Sequence, residues 1–215
     1  MTEKLQAIVL SAVRHSDRAL VVNAYTPTRG RMSLLVSISP GKGGRRMSAM
    51  TMPLAQIEYE CDMGGSRELR RPRGMSFAYT YRSLYFSPAK NAIGIFLAEF
   101  LTRLLREADA DPLAFRYISE SLVALDTLPG HVANFHLTFL AGLTTFMGIA
   151  PDLEGYAPGA LFDMRAGTYT RLHPGHNDIL IGESAAAPRL LARLDYANMH
   201  LLHLDRMQRE AMLEG

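Results

Sequence analysis

The chain has 215 residues, 48% apolar and 20% charged, with 23 Lys+Arg against 21 Asp+Glu, one cysteine and no tryptophan. That length allows one or two domains with a real core, and the composition excludes a disordered chain. The longest apolar run, Ile93 to Leu101, is broken by Glu99 and falls short of the roughly eighteen residues a membrane helix needs.

The first eighty residues read as strands. Lys4 to Arg14 is rich in β-branched residues, and Ala19 to Tyr25 follows a polar turn at Ser16, Asp17 and Arg18. Pro27 and Gly30 mark a second turn. Met32, Leu34, Val36 and Ile38 then alternate with Ser33, Leu35, Ser37 and Ser39, the period of a half-buried strand. From Leu54 to Asp62 the same period puts Ile57, Tyr59 and Cys61 on one face and Gln56, Glu58, Glu60 and Asp62 on the other. A fifth strand is expected over Arg67 to Tyr79. Between the third and fourth lies Pro40 to Arg46, whose glycines argue against a helix and for a mobile loop. Five strands bounded by turns indicate a small barrel or sandwich.

The period changes at Ser87, an N-cap followed by Pro88 at the first helical position. Ile93, Phe96, Leu97, Phe100, Leu101, Leu104 and Leu105 recur at helical spacing to about Glu107. Asp111 and Pro112 open a second helix to about Leu128, and a third is expected from about Pro129 to Met147, with Gly148 as its stop. Residues 149–186 read as irregular, with a hairpin across Ala160 to Arg171, and a last helical stretch is expected from Pro188 to about Leu213. The domain boundary falls near residues 80–88.

Charge divides with the domains. Residues 1–88 hold 13 Lys+Arg and 6 Asp+Glu, a net +7, and the remainder holds 10 against 15, a net −5. Twenty of the 23 cations are arginine, which forks onto phosphate and stacks on bases as lysine cannot, although GC-rich coding would produce the same excess. The cations cluster: Arg29 and Arg31 flank Gly30, Lys42, Arg45 and Arg46 lie in the glycine segment, and Arg67, Arg70, Arg71 and Arg73 lie on the fifth strand. Strand alternation puts Arg67, Arg71 and Arg73 on one face and Arg70 on the other. Guanidiniums spaced along a barrel can track a phosphate backbone while Tyr and Phe rings offer stacking surfaces. A solvated surface is the plainer reading.

Other motifs carry less. Gly41, Lys42, Gly43 and Gly44 lack the spacing and the following Ser/Thr of a phosphate loop. His173 with His176, and His200 with His203, have ligand-like spacing near Asp163, Asp178 and Asp205, yet a metal hydrolase needs three or four of them to converge. His136 reads as a core histidine and Cys61 as a buried thiol. One cysteine allows neither an internal disulfide nor a multi-cysteine zinc site. With no signal-peptide layout in Met1 to Leu5, this indicates the reducing cytoplasm.

The order of elements resembles the RecO family, bacterial recombination mediators of the RecFOR pathway. The likeness runs through Ala7–Leu10, Leu20–Thr26, Gly30, Ser33–Val36, Pro53–Leu54, Ile57–Glu60 and Arg67–Leu69, then Phe96–Leu101, Asn134–Leu137 and Gly148–Pro151. It covers roughly residues 4–180. The resemblance implies an α+β chain: a five-stranded oligonucleotide-binding (OB-fold) barrel over 1–82, then an α-helical domain over 83–215 with an irregular insertion at about 149–186. Proteins like RecO bind single- and double-stranded DNA, anneal complementary strands, and contact RecR and single-strand-binding protein (SSB), so helping RecA to load. A nonenzymatic, cofactor-free, nucleoid-associated cytoplasmic protein is thus expected, with Arg29, Arg31, Lys42, Arg45, Arg46, Arg67, Arg70, Arg71 and Arg73 as its nucleic-acid contacts. Many relatives carry a four-cysteine zinc site in the insertion; Asp152 to Asp178 here has no cysteine, so no structural zinc is expected. The rival readings are an RNA-binding barrel module and a metal-dependent hydrolase.

Overall fold

The computed structural model describes residues 1–39, 41–65 and 68–214. They form two compact units, Met1–Thr127 and Leu128–Gly215.

The first unit begins with strands β1 (Thr2–Ser16), β2 (Ala19–Thr26) and β3 (Gly30–Ser37). A helix, α1 (Lys42–Met50), leads to β4 (Gln56–Asp62), β5 (Leu69–Arg70) and β6 (Pro72–Tyr79). β1 is long enough to pair twice: Thr2 to Ile8 run antiparallel to β4, and Ile8 to Ser16 run antiparallel to β2. The sheet order is β5-β3-β2-β1-β4-β6. Its two edges, β5 on β3 and β6 on β4, are consecutive in the chain and separated only by Arg71, so the sheet curls round and closes through one segment. This is the barrel expected at the N-terminus, with one correction: the fifth strand is two strands. Pro72 has no N–H to continue a ladder, and the chain changes partner immediately before it.

Alternation fills the barrel. Leu5, Ala7, Val9, Val22, Ala24, Met32, Leu34, Val36, Ile57, Tyr59 and Cys61 form one buried cluster. A bulge between Val9 and Ser11 shifts the inward set of β1, so Ala12 takes the inner position. Full burial of a Leu34 side chain stabilises by roughly 1.5–3 kcal/mol. Cys61 is 1% exposed, and burial raises its thiol pKa.

The expected loop at Pro40 to Arg46 is the second correction. Pro40 lies outside the described residues, and Lys42 to Met50 are helical. Met50 joins the barrel core and Met47 packs against it. Gly44 is buried against the backbone of Ser39, where a Cβ would lie 1.7 Å from the carbonyl oxygen. Its low helix propensity is outweighed by an approach that only glycine allows.

Two helices complete the first unit, α2 (Pro88–Leu104) and α3 (Pro112–Thr127). Asp111 caps α3, its Oδ1 accepting the N–H groups of Leu113 at 2.8 Å and Ala114 at 3.0 Å. Ser87 precedes α2 but its hydroxyl makes no cap bond. Gln56 ties α3 to the sheet by donating to Ser119 O at 3.1 Å and accepting from Ser119 Oγ at 2.6 Å.

The second unit opens with α4 (Phe135–Phe146), shorter at its start than the spacing predicts because His131 adopts a left-handed backbone (φ 56°). The expected hairpin is present as β7 (Leu161–Asp163) and β8 (Thr168–Thr170), joined by β9 (Ile179–Leu180) over a small core of Ala160, Phe162 and Tyr169. The expected C-terminal helix is broken into α5 (Ala187–Leu191), a single turn at Met199–Leu201, and α6 (Arg206–Glu214). Asp195 Oδ1 accepts the N–H groups of Ala197 and Asn198, and Asn198 Oδ1 accepts that of Asp195. This side-chain turn competes with the helical ladder and wins.

Candidate nucleic-acid interface

The helix α1 organises three of the sequence-derived cations. Lys42, Arg45 and Arg46 follow i, i+3, i+4 spacing and are exposed, while Met47 and Met50 hold the other side against the barrel. Among the described residues, none of the three forms an ion pair or a side-chain hydrogen bond. The same holds for Arg71 and Arg73, both exposed where the chain passes from β5 to β6. Like charges brought this close repel, and phosphate is the counter-charge that relieves them.

Three other arginines are committed to the fold. Arg29 forks onto both carboxylate oxygens of Glu3, which raises the guanidinium pKa further. The backbone N–H of Arg31 donates to Ala108 O at 3.2 Å and its guanidinium donates to the Arg106 carbonyl. Arg70 donates to the carbonyls of Asp62 (3.2 Å), Gly64 (2.9 Å) and Gly65 (3.1 Å), bracing the turn after β4. Arg67 lies outside the described residues. The expected common face of Arg67, Arg71 and Arg73 therefore gives way to a chain that switches partner at Arg71.

Two cations outside the sequence-derived set join this surface. Arg14 and Arg18 are exposed on the β1–β2 hairpin. Ile38 N–H donates to Arg18 O at 2.8 Å, which sets that hairpin beside the segment entering α1. The signal was present in the sequence as a basic hairpin; what was missing was its neighbour.

The expected stacking rings are placed otherwise. Tyr25, Tyr59 and Tyr81 are buried in the first unit. Tyr59 shares the inward face of β4 and its hydroxyl meets Met32 Sδ at 3.6 Å. Tyr81 donates to Leu54 O at 2.9 Å, and Tyr85 donates to Pro53 O at 2.9 Å. Burial pushes all three of Tyr59, Tyr81 and Tyr85 far above the ordinary phenol pKa.

The histidine and aspartate pairs form no common centre: among the described residues no three of His, Cys, Asp and Glu converge on one point. His176 Nε2 sits 3.3 Å from Asp163 Oδ1, and Asp178 pairs with Arg165 at 2.6 Å. Asp163 Oδ1 also accepts the N–H groups of Arg165 and Ala166, bonds that lower its pKa against the opposing effect of burial. Asp205 Oδ1 accepts the N–H of Gln208 at 2.8 Å at the start of α6. Each carboxylate thus has a structural partner.

Comparison with known proteins gives matches along the chain. A family profile described as Recombination protein O N terminal matches residues 1–81, and one described as Recombination protein O C terminal matches residues 86–214. A protein named DNA repair protein RecO from Phocaeicola vulgatus is 35% identical over 99% of this chain and 88% of its own length. One of the same name from Bacteroides fragilis is 36% identical over 99% of this chain and 88% of its own. A Porphyromonas gingivalis protein, also of that name, is 28% identical over 97% and 87%.

Proposed function

The chain belongs to the RecO family of DNA repair proteins, and from that membership we propose that it is a recombination mediator that binds single- and double-stranded DNA and anneals complementary strands. The observation that carries this reading is the group of five exposed cations, Lys42, Arg45, Arg46, Arg71 and Arg73, without an ion-pair partner among the described residues. Strands held against such a surface lose part of their mutual repulsion, because each bound phosphate releases condensed counterions and carries less net charge toward an incoming strand. No bond is made or broken in this function, and it needs no cofactor.

The nucleic-acid-binding part is residues 1–82. The acidic remainder, residues 83–215, recruits proteins: RecR, SSB and, through them, RecA at SSB-coated single strands. The protein works at the nucleoid in the cytoplasm.

A titration with single-stranded DNA, duplex DNA and ribo-oligonucleotides at two salt concentrations tests the reading, with annealing of complementary strands followed alongside. Salt-dependent binding of both DNA forms and faster annealing are expected. A preference for RNA, or no acceleration of annealing, would overturn it.

A further inference from the structure

The outer face of the barrel carries an open row that the cations do not explain. Cross-strand pairing aligns Val13 with Val21 and Val21 with Leu35, and the next row aligns Ser11 with Asn23 and Asn23 with Ser33. Both rows point away from the core, since Ala12, Val22 and Leu34 between them point into it. Val13 is 60% exposed. The second row is joined side chain to side chain: Asn23 Nδ2 donates to Ser11 Oγ at 3.1 Å, and Ser33 Oγ donates to Asn23 Oδ1 at 2.9 Å. One amide proton of Asn23 and the hydroxyl proton of Ser11 stay available for donation outward.

The surroundings select what can lie there. Arg14 and Arg18 stand on the hairpin that continues this face, and Lys42, Arg45 and Arg46 follow beyond Ile38; the turn itself holds one carboxylate, Asp17. An aliphatic strip beside hydrogen-bond donors, bordered by excess positive charge, matches a chain that is apolar on its flat faces, polar on its edges and anionic along its backbone. An unpaired nucleic-acid strand has all three properties. A duplex hides its base faces in the stack, so only its phosphates can engage. In barrels of this type the face of the second and third strands and the loop between the first two form a general oligonucleotide surface.

We propose that the Val13–Val21–Leu35 row, with Ser11 and Asn23 beside it, is the base-contacting face for single strands. The inference rests on the proposed nucleic-acid binding and adds where the bases lie and why single strands are held differently from duplex. Contact through aliphatic side chains is sequence-tolerant and weaker than ring stacking, which suits a protein that must release strands once they pair.

The absence of tryptophan gives a clean test. The full chain carrying Val13→Trp has a single indole on this row, and Leu172→Trp, at a residue 80% exposed in the second unit, serves as reference. With an oligo-dT strand, V13W emission should be quenched and affinity should rise roughly five-fold or more, the low end of one base stacked on an aromatic ring. A duplex of equal length should leave the emission unchanged. Salt-dependent binding of oligo-dT without quenching of V13W would overturn the base face and leave phosphate binding standing. Equal quenching of V13W and L172W, or equal quenching by duplex, would also overturn it. Emission that shifts with protein concentration alone would assign the row to a second copy of the chain instead. No binding of oligo-dT by the wild-type chain would remove the nucleic-acid reading and this inference together.

Discussion

Gly30 passes so close to Ala108 that a Cβ on it would lie 2.5 Å from the Ala108 carbonyl oxygen, and its φ of +61° belongs to the left-handed region. The approach locks the β2–β3 turn against the segment that follows α2. Arg31 N–H donates to the same carbonyl, and the Tyr25 hydroxyl donates to Asp109 O at 3.2 Å. An arginine that seemed poised for a ligand is thereby fixed to its own chain.

Gly30→Ala is therefore expected to destabilise the fold by about 1–2 kcal/mol from the backbone conformation alone, with the clash adding to it. Urea unfolding measures this. Wild-type stability in the variant would mean that the 106–110 segment yields freely.

Arg70 and Arg73 should separate stability from binding. Arg70→Ala removes the three carbonyl bonds that brace the turn after β4 and should cost about 1–2 kcal/mol of stability while the salt dependence of DNA binding stays unchanged. Arg73→Ala should do the reverse, since its guanidinium touches no protein partner among the described residues. Equal loss of stability in both variants would contradict this division.

Asp126 anchors the link between barrel and helices. Burial raises its pKa, but the N–H groups of Arg82, Ser83 and Leu84 and the Tyr79 hydroxyl outweigh that and hold the carboxyl below the ordinary range. The folded value is depressed, so the stabilisation is complete above the unfolded pKa, about 3.9, and is lost as pH falls through the lower folded value. Asp126→Asn should cost about 1–3 kcal/mol at neutral pH, and the gap from wild type should narrow on acidification below about pH 4. A gap independent of pH would show that the charge is not what the N–H groups hold.

Cys61 should resist thiol reagents in the folded chain, because it is buried and its thiolate is disfavoured. Alkylation followed by mass should become fast only in denaturant. Rapid labelling of the native chain would place the thiol outside the core.

Much of the fold was legible because period and capping act locally. The alternation of Met32, Leu34 and Val36 and of Ile57, Tyr59 and Cys61 gave the inward faces of β3 and β4, and the Asp111–Pro112 pair gave the start of α3. Where local signals compete with tertiary contacts, the reading failed. Glycines that argued for a loop before Met47 instead let the helix press on Ser39, and the Asp195–Asn198 turn interrupts a stretch whose apolar spacing alone suggested a continuous helix. The site was less legible still. Composition marks Arg31 and Arg71 alike, but the partner that occupies Arg31 lies 75 residues further along the chain, beyond any window of sequence reasoning.

The claim that unpartnered cations of the first unit hold phosphates is tested most directly by the salt dependence of oligo-dT affinity in the full chain and in the Lys42→Ala, Arg45→Ala, Arg46→Ala triple variant. These side chains are exposed, so fold and melting point should be preserved. The slope of log affinity against log salt should flatten by about 0.7 for each phosphate that is no longer neutralised, roughly 2 in all, with weaker binding at low salt. A triple variant with the wild-type slope and affinity would contradict the account.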